Sequence, residues 1–245
     1  MFSLAAAATL SGITFQNEDI VSWNGSAFSM YFDGSDVLAT GHTIDGFAVA
    51  SANDILITLV GNGTLPGVGD FDDSDILRFH ATSLGNSTTG TWTMYFDASD
   101  VGLDGATEDV DGIEILPNGQ LLISTEGDFS VAGLSGQDRD IIRFSPTMLG
   151  AMTTGAWSMY FDGSDVGIND ATEDLDGVAV SGGNLHLSTI GVFSVAGLAG
   201  QDEDIFIFAP GALGAATTGT YVSLLFFDGS NYGLSGNDVV DIDLP

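Results

Sequence analysis

The sequence predicts an all-β fold, a four-bladed β-propeller of four-stranded antiparallel blades closed into a ring by its N- and C-terminal strands. Three observations lead there. First, a unit of roughly 65 residues recurs: MYFDGSD (30–36), MYFDASD (94–100), MYFDGSD (159–165) and LFFDGSN (225–231) place Asp33, Asp97, Asp162 and Asp228 at spacings of 64, 65 and 66. Fixed-period self-similarity is the signature of repeat architectures. Second, each unit carries four short strand signals, the number in a propeller blade. Third, the chain starts mid-unit. Residues 1–36 hold only the later strands of one unit, and Val239 to Leu244 read as its missing first strand. Pairing the two ends closes a ring; the same offset would also suit an open stack of sheets, or end-to-end pairing between molecules.

The third copy shows each element in order. Strand a runs from Asp111 to Leu116 and ends in Pro117-Asn118-Gly119, a hairpin signal because Asn and Gly both tolerate positive φ. Strand b is Gln120 to Ser124 and strand c is Asp140 to Phe144. In strand d, Ala156 to Phe161, the residues Trp157, Met159 and Phe161 alternate with Ala156, Ser158 and Tyr160. That period of two puts one set on each face of a sheet. The fourth copy gains two residues here, yet Tyr221, Leu225 and Phe227 keep the parity that a packed face demands. The series Trp92, Trp157, Phe28 and Tyr221 reads as core between blades. The whole chain, 1–245, is thus one domain, with units at about 1–42 plus 238–245, 43–108, 109–173 and 174–237.

Composition narrows the function. Of 34 acidic residues 28 are aspartate; the only basic side chains besides three histidines are Arg78, Arg139 and Arg143, and the net charge is -31. Such a surface repels nucleic acid and anionic membranes, and attracts cations. No stretch approaches the roughly 18 apolar residues of a membrane span, so no membrane insertion is expected. Residues 1–10 lack the basic start of a secretory signal. There is no cysteine, hence no disulfide. Neither a Gly-x-Ser-x-Gly elbow nor a lysine is present, which removes the common nucleophile arrangements. Paired carboxylates of the glycosidase type are available, but they repeat with the units, and repetition favours structure or metal over chemistry.

Strand direction sorts the charge. In a meandering blade the d-to-a and b-to-c connections share one face, and nearly all carboxylates fall in them. The c-to-d turns, such as SPTMLGAMTTGA, carry none, and among the a-to-b turns only Asp54 is acidic. The d-to-a segment F-D-G-S-D-V-G-x-x-x-A-T-E-D-x-D-G gathers several oxygens and turn glycines within a short span. That suits a calcium site of about 6–8 oxygen ligands, although Asp-Gly-Ser-Asp is also ordinary turn chemistry. The candidate calcium ligands are Asp33, Asp36, Asp97, Asp100, Asp109, Asp111, Asp162, Asp165, Asp174, Asp176, Asp228 and Asp238. Copies one and four depart from the pattern at Thr43 and Asn231. A second ligand group could come from Asp73/Asp75, Asp138/Asp140 and Asp202/Asp204, at the start of strand c. His42, His80 and His186 occupy unrelated repeat positions, which argues against a shared zinc site.

The strings TWTMYFDASDVGL, EDVDGIEILPNGQLLIST and SGQDRDIIRF resemble a propeller-like repeat, of the SLYFDGSDVGL type, found in uncharacterised exported bacterial proteins. The resemblance implies a secreted or cell-envelope setting and brings no activity with it. Together these readings lead to the expectation of a non-catalytic extracellular module that binds calcium on an acidic face, with a cell-surface glycan or protein, or further copies of itself, as partner. A calcium-dependent hydrolase of carbohydrate or phosphate esters, and a polymerising fibre or surface-layer subunit, are the rivals.

Overall fold

The computed structural model describes residues 1–39 and 41–244. It is a four-bladed propeller. Blade 1 orders its strands as Val239–Ile242, Phe2–Leu4, Ile20–Trp23 and Phe28–Phe32 from the axis outward. Blade 2 is Ile44–Ser51, Asp54–Leu59, Ile76–Ser83 and Thr89–Phe96. Blade 3 is Val110–Ile115, Leu121–Thr125, Ile141–Met148 and Thr154–Phe161; blade 4 is Gly177–Ser181, Asn184–Ser188, Asp204–Ala212 and Thr218–Tyr221. The ring is closed within the chain, by antiparallel pairing of Phe2 with Ile242 and of Leu4 with Val239.

Alternation within the strands sends large side chains into the seams between blades. Phe32 of blade 1 meets Phe79 and Trp92 of blade 2, with ring centroids 5.2 and 6.4 Å apart. One seam on, Phe96 meets Phe144 and Trp157 at 5.0 and 6.1 Å. Phe161 meets Phe208 at 5.2 Å, and Tyr221 lies on Phe208. Each such phenylalanine is fully buried, stabilising the fold by about 1.5–3 kcal/mol. The aromatic series is therefore core, as expected.

Two local features were not legible as strands. Every b-to-c connection folds back as a short hairpin: Ala8–Leu10 with Ile13–Phe15, Gly63–Leu65 with Gly69–Phe71, Phe129–Val131 with Leu134–Gly136, and Phe193–Val195 with Leu198–Gly200. Their three-residue arms are too short to show a period. In blade 4 the extra residues interrupt the outer strand after Tyr221, and Phe227–Asp228 resumes pairing with Asp204 and Ile205. Tyr221 and Phe227 keep their inward positions, and Leu224 on the intervening bulge is 74% exposed.

The outer edges are latched in one direction. Thr153, in the c-to-d turn of blade 3, donates its N–H to Asp100 of blade 2 at 2.7 Å. Its hydroxyl accepts from the Asp97 N–H and donates to the Gly150 carbonyl. Thr88 grips Asp33 and Asp36 in the same way, and Thr217 grips Asp162 and Asp165. All three threonines are buried. This corrects the expected division of loops between two faces. It holds near the axis, but twist accumulating across each blade tips the outer strands until an uncharged c-to-d turn reaches the acidic loop of the blade before it. Between blades 4 and 1 the latch is absent. There Asn231 stands in place of the aspartate, and Trp23 packs on Phe227 and Tyr232 instead, at 5.1 and 5.6 Å. Thr153→Val removes the two hydroxyl hydrogen bonds, to Asp97 and Gly150, and keeps the side-chain shape and the backbone N–H bond to Asp100. It should cost about 1–3 kcal/mol and lower the unfolding midpoint by roughly 4–8 °C, as read by calorimetry.

Candidate functional site

The four innermost strands carry Thr43-Ile44-Asp45-Gly46, Asp109-Val110-Asp111-Gly112, Asp174-Leu175-Asp176-Gly177 and Asp238-Val239-Val240-Asp241 in register. The glycine permits close approach at the axis: a Cβ on Gly112 would collide with Ser124 Oγ and lie 2.7 Å from the Asp176 carbonyl oxygen. Asp241 takes the glycine position in blade 1, and its side chain plugs the axis. It is completely buried. Its Oδ2 accepts from the N–H of Phe47 in blade 2 and of Ile113 in blade 3; its Oδ1 accepts from Val178 in blade 4 and from Ile242. One carboxylate thus ties all four inner strands. Burial pushes its pKa well up, and the four N–H donors pull against that shift. Reading Val239 to Leu244 as the closing strand does not reveal this role; the signal is an aspartate where three units have glycine.

Above this plug a cavity of about 330 Å³ opens on the acidic face. Asp45, Asp111, Asp176, Asp238 and Glu126 line it, with apolar walls that include Val60 and Ile190. Asp111, Asp174 and Asp176 are all buried to 3% exposure or less. Asp111 Oδ2, Asp174 Oδ1, Asp238 Oδ1 and both oxygens of Asp176 are shut off from solvent without a hydrogen-bond partner. Buried carboxylate oxygens normally have partners, because leaving them bare costs free energy. Burial, then neighbouring carboxylates, raise Asp45, Asp109, Asp111, Asp174, Asp176 and Asp238. Asp45 is pushed up to about 7, with Glu126, Asp109 and Asp73 adding to burial. Asp109 rises to about 6, Asp174 to about 8 and Asp238 to about 7. Asp111 and Asp176 rise well above the usual range, the former against Asp174 and the latter against Asp238.

The twelve aspartates expected as ligands therefore fall into two sets. Asp109, Asp111, Asp174, Asp176 and Asp238 gather at the axial mouth. Asp33, Asp97, Asp162 and Asp228 sit at the rim, each accepting from the serine two residues on, at 2.6–2.7 Å. Asp36, Asp100 and Asp165 are the latch acceptors. These seven act as turn and seam chemistry.

The strand-c set also divides. Asp19, Asp75, Asp140 and Asp204 each span two backbone N–H groups. Asp140, for example, accepts from Gln137 and Gly163, both at 3.0 Å. The same bonds recur at the other three. Asp73, Asp138 and Asp202 turn instead toward the mouth, where their charges act on Asp109, Asp174 and Asp238. Glu108 and Glu173 stitch the d-to-a loop to the inserted hairpin: Glu108 accepts from Asp104, Gly105 and Ser130, and Glu173 from Asn169, Asp170 and Ser194. Among the described residues, no three carboxylate or histidine side chains are already drawn into a compact metal-gripping group.

The histidines are separate, as their repeat positions imply. His80 Nδ1 pairs with Asp54 at 2.8 Å, His186 packs on Phe226, and His42 lies against Phe71. Arg78 approaches Asp54 at 3.9 Å and Arg139 approaches Asp138 at 3.4 Å, whereas Arg143 donates to Ser158. At the opposite end of the axis Glu114 and Asp243 line a second cavity of about 360 Å³. Blades 2 and 4 have Ala48 and Ala179 at those positions. Burial, with Asp243 nearby, pushes Glu114 up to about 8.

Among the described residues, no helix is long and apolar enough to cross a membrane. Compared with protein-family models and with curated proteins, the chain matches none.

Proposed function

We propose that this chain is a non-catalytic extracellular propeller whose acidic axial mouth binds calcium and, so charged, mediates contact with a surface glycan, a protein or further copies of itself. One observation carries the reading: Asp111, Asp176 and Asp238, each with a buried carboxylate oxygen that has no partner, line a single cavity at the mouth. An all-oxygen set suits a hard cation, and calcium accepts irregular geometry more readily than magnesium. The exported setting rests on the repeat resemblance alone.

The test is thermal unfolding of the calcium-free protein, followed by addition of calcium, of magnesium, or of sodium chloride at equal ionic strength. At a hundred times the dissociation constant, calcium should stabilise by about 2.7 kcal/mol and raise the midpoint by roughly 5–10 °C. An equal rise with sodium chloride would mean that the face is merely screened, and the calcium reading would fall.

A second reading has one observation behind it. Glu114 and Asp243 line one cavity and break the repeat symmetry, and a hydrolase of carbohydrate or phosphate esters needs two carboxyls of differing pKa in such a place. It requires turnover of a chromogenic sugar or phosphate ester that is lost with Glu114→Gln.

A further inference from the structure

Two grooves repeat along the outer strands. One lies in the seam between blades 2 and 3, the other in the seam between blades 3 and 4, with volumes of about 660 and 560 Å³. Matching positions of the repeat build them. Each is lined by the start of an outer strand, Thr154-Gly155-Ala156 or Thr218-Gly219-Thr220, and by the aromatic ring that follows, Trp157 or Tyr221. The exposed tip of the inserted hairpin contributes Ala132 or Ala196, and the acidic loop of the preceding blade contributes Asp100 or Asp165.

At the other two seams a departure from the repeat occupies the same place. The hairpin of blade 2 turns through three residues, Pro66-Gly67-Val68, between the paired Leu65 and Gly69; blades 3 and 4 turn through two, Ala132-Gly133 and Ala196-Gly197. The longer turn reaches the outer strand. A Cβ on Gly67 would lie 2.5 Å from the Trp92 carbonyl oxygen, whereas one on Gly133 or Gly197 would meet nothing within 4 Å. Trp92 is accordingly buried, while Trp157 and Tyr221 are half-buried. Between blades 4 and 1, Tyr232 stands where Val101 and Val166 line the grooves, and packs on Phe28 at 5.4 Å.

The lining selects a class of ligand. It offers a flat ring, small residues that leave room beside it, hydroxyls and one carboxylate. The latch occupies Oδ2 of Asp100 and of Asp165; Oδ1 of each is left to accept, and both side chains are exposed. An apolar surface with a few placed polar groups is the usual make-up of a small-molecule pocket. A sugar ring answers both halves, with a C–H face for the aromatic ring and hydroxyl donors for the carboxylate. The aspartate in each groove and the net charge of -31 repel acidic sugars. We infer that each of the two grooves binds one neutral sugar unit of a surface glycan. Among the partners proposed above this selects a glycan. It does not depend on calcium at the mouth, because no residue lines both a groove and the axial cavity.

The experiment is an array of neutral glucose, galactose, mannose and N-acetylglucosamine oligosaccharides, probed with the full chain in EDTA. Titration calorimetry follows with the shortest oligosaccharide that binds. The expected stoichiometry is two per chain. Replacing Ala132-Gly133 with Pro-Gly-Val, the turn of the blade 2 hairpin, should cut it to one, and adding the same graft at Ala196-Gly197 should abolish binding. Tryptophan fluorescence supplies the answer should a graft not fold: the sugar should change the emission of the native chain, and Trp157→Phe, which keeps a flat ring, should lose that change and still bind two. Failure to bind any neutral sugar, a stoichiometry unmoved by both grafts, or an emission change that survives Trp157→Phe would overturn the groove proposal. Binding that appears only when calcium is added would overturn it too, and would place the glycan at the mouth. Binding in EDTA without any stabilisation by calcium would leave the grooves standing and remove the calcium reading.

Discussion

Replacing Asp241 with glycine, the residue the other three blades carry, is expected to lower the unfolding midpoint by about 10 °C or more. The change looks conservative by repeat logic, and its cost comes from the centre of the ring. Asp241 accepts from Phe47, Ile113 and Val178, one N–H from each of the other blades. Without the carboxylate those donors stay buried and unpaired, at about 1–3 kcal/mol each. Part of that is recovered because a buried acid is no longer desolvated, so a net loss of roughly 3–6 kcal/mol is the expected range. At about 2–4 °C per kcal/mol for a chain of this size, calorimetry resolves it easily. A midpoint within about 2 °C of the native value would show that the axis repacks without its acid.

The second large effect is an inverted pH profile. Asp45, Asp109, Asp174 and Asp238 have folded pKa values pushed up to about 7, 6, 8 and 7, against an ordinary value near 3.8. A carboxyl whose pKa is higher in the folded chain binds its proton more tightly there. Its contribution is fully present below about pH 4, and is lost as the pH climbs through about 6 to 8. Glu114, raised to about 8 on the opposite face, adds to the same trend, while Asp54, lowered by its hydrogen bond to His80, opposes it at acid pH. Calcium-free protein should therefore be most stable near pH 5 and lose several kcal/mol by pH 8, since each tenfold gain in proton affinity on folding corresponds to about 1.4 kcal/mol. Calcium competes with the protons and binds the ionised form, so saturating calcium should flatten or reverse the decline. Unfolding midpoints from pH 5 to 8.5, with and without calcium, decide it. Parallel curves would show that the metal does not meet these groups.

The repeat period, the four strands and the closing role of residues 239–244 were legible because each is a statement about spacing and alternation. The division of the aspartates was not. Asp165 and Asp176 belong to the same loop and look alike in a string, yet one caps Thr217 across a seam and the other is buried at the axis with bare oxygens. What separates them is distance from the axis, a quantity that depends on the closed ring. Thr43 was visible only as a departure from the motif, and its partner Asn17 not at all. Asn17 donates to Thr43 directly, a bond between positions 26 residues apart. The inserted hairpins escaped because arms of three residues carry no readable period.

The latch threonines have one more implication, for how such a ring can grow. Each latched seam is made of interchangeable parts, a Thr turn on one blade and an Asp loop on the blade before it. The seam between blades 4 and 1 lacks both halves at once, having Asn231 on one side and the short Trp23-Asn24-Gly25-Ser26 turn on the other. The repeat array therefore has a direction, with a distinct first and last member. The latched seams are therefore the ones expected to accept a duplicated or exchanged unit, and the aromatic seam between blades 4 and 1 is not.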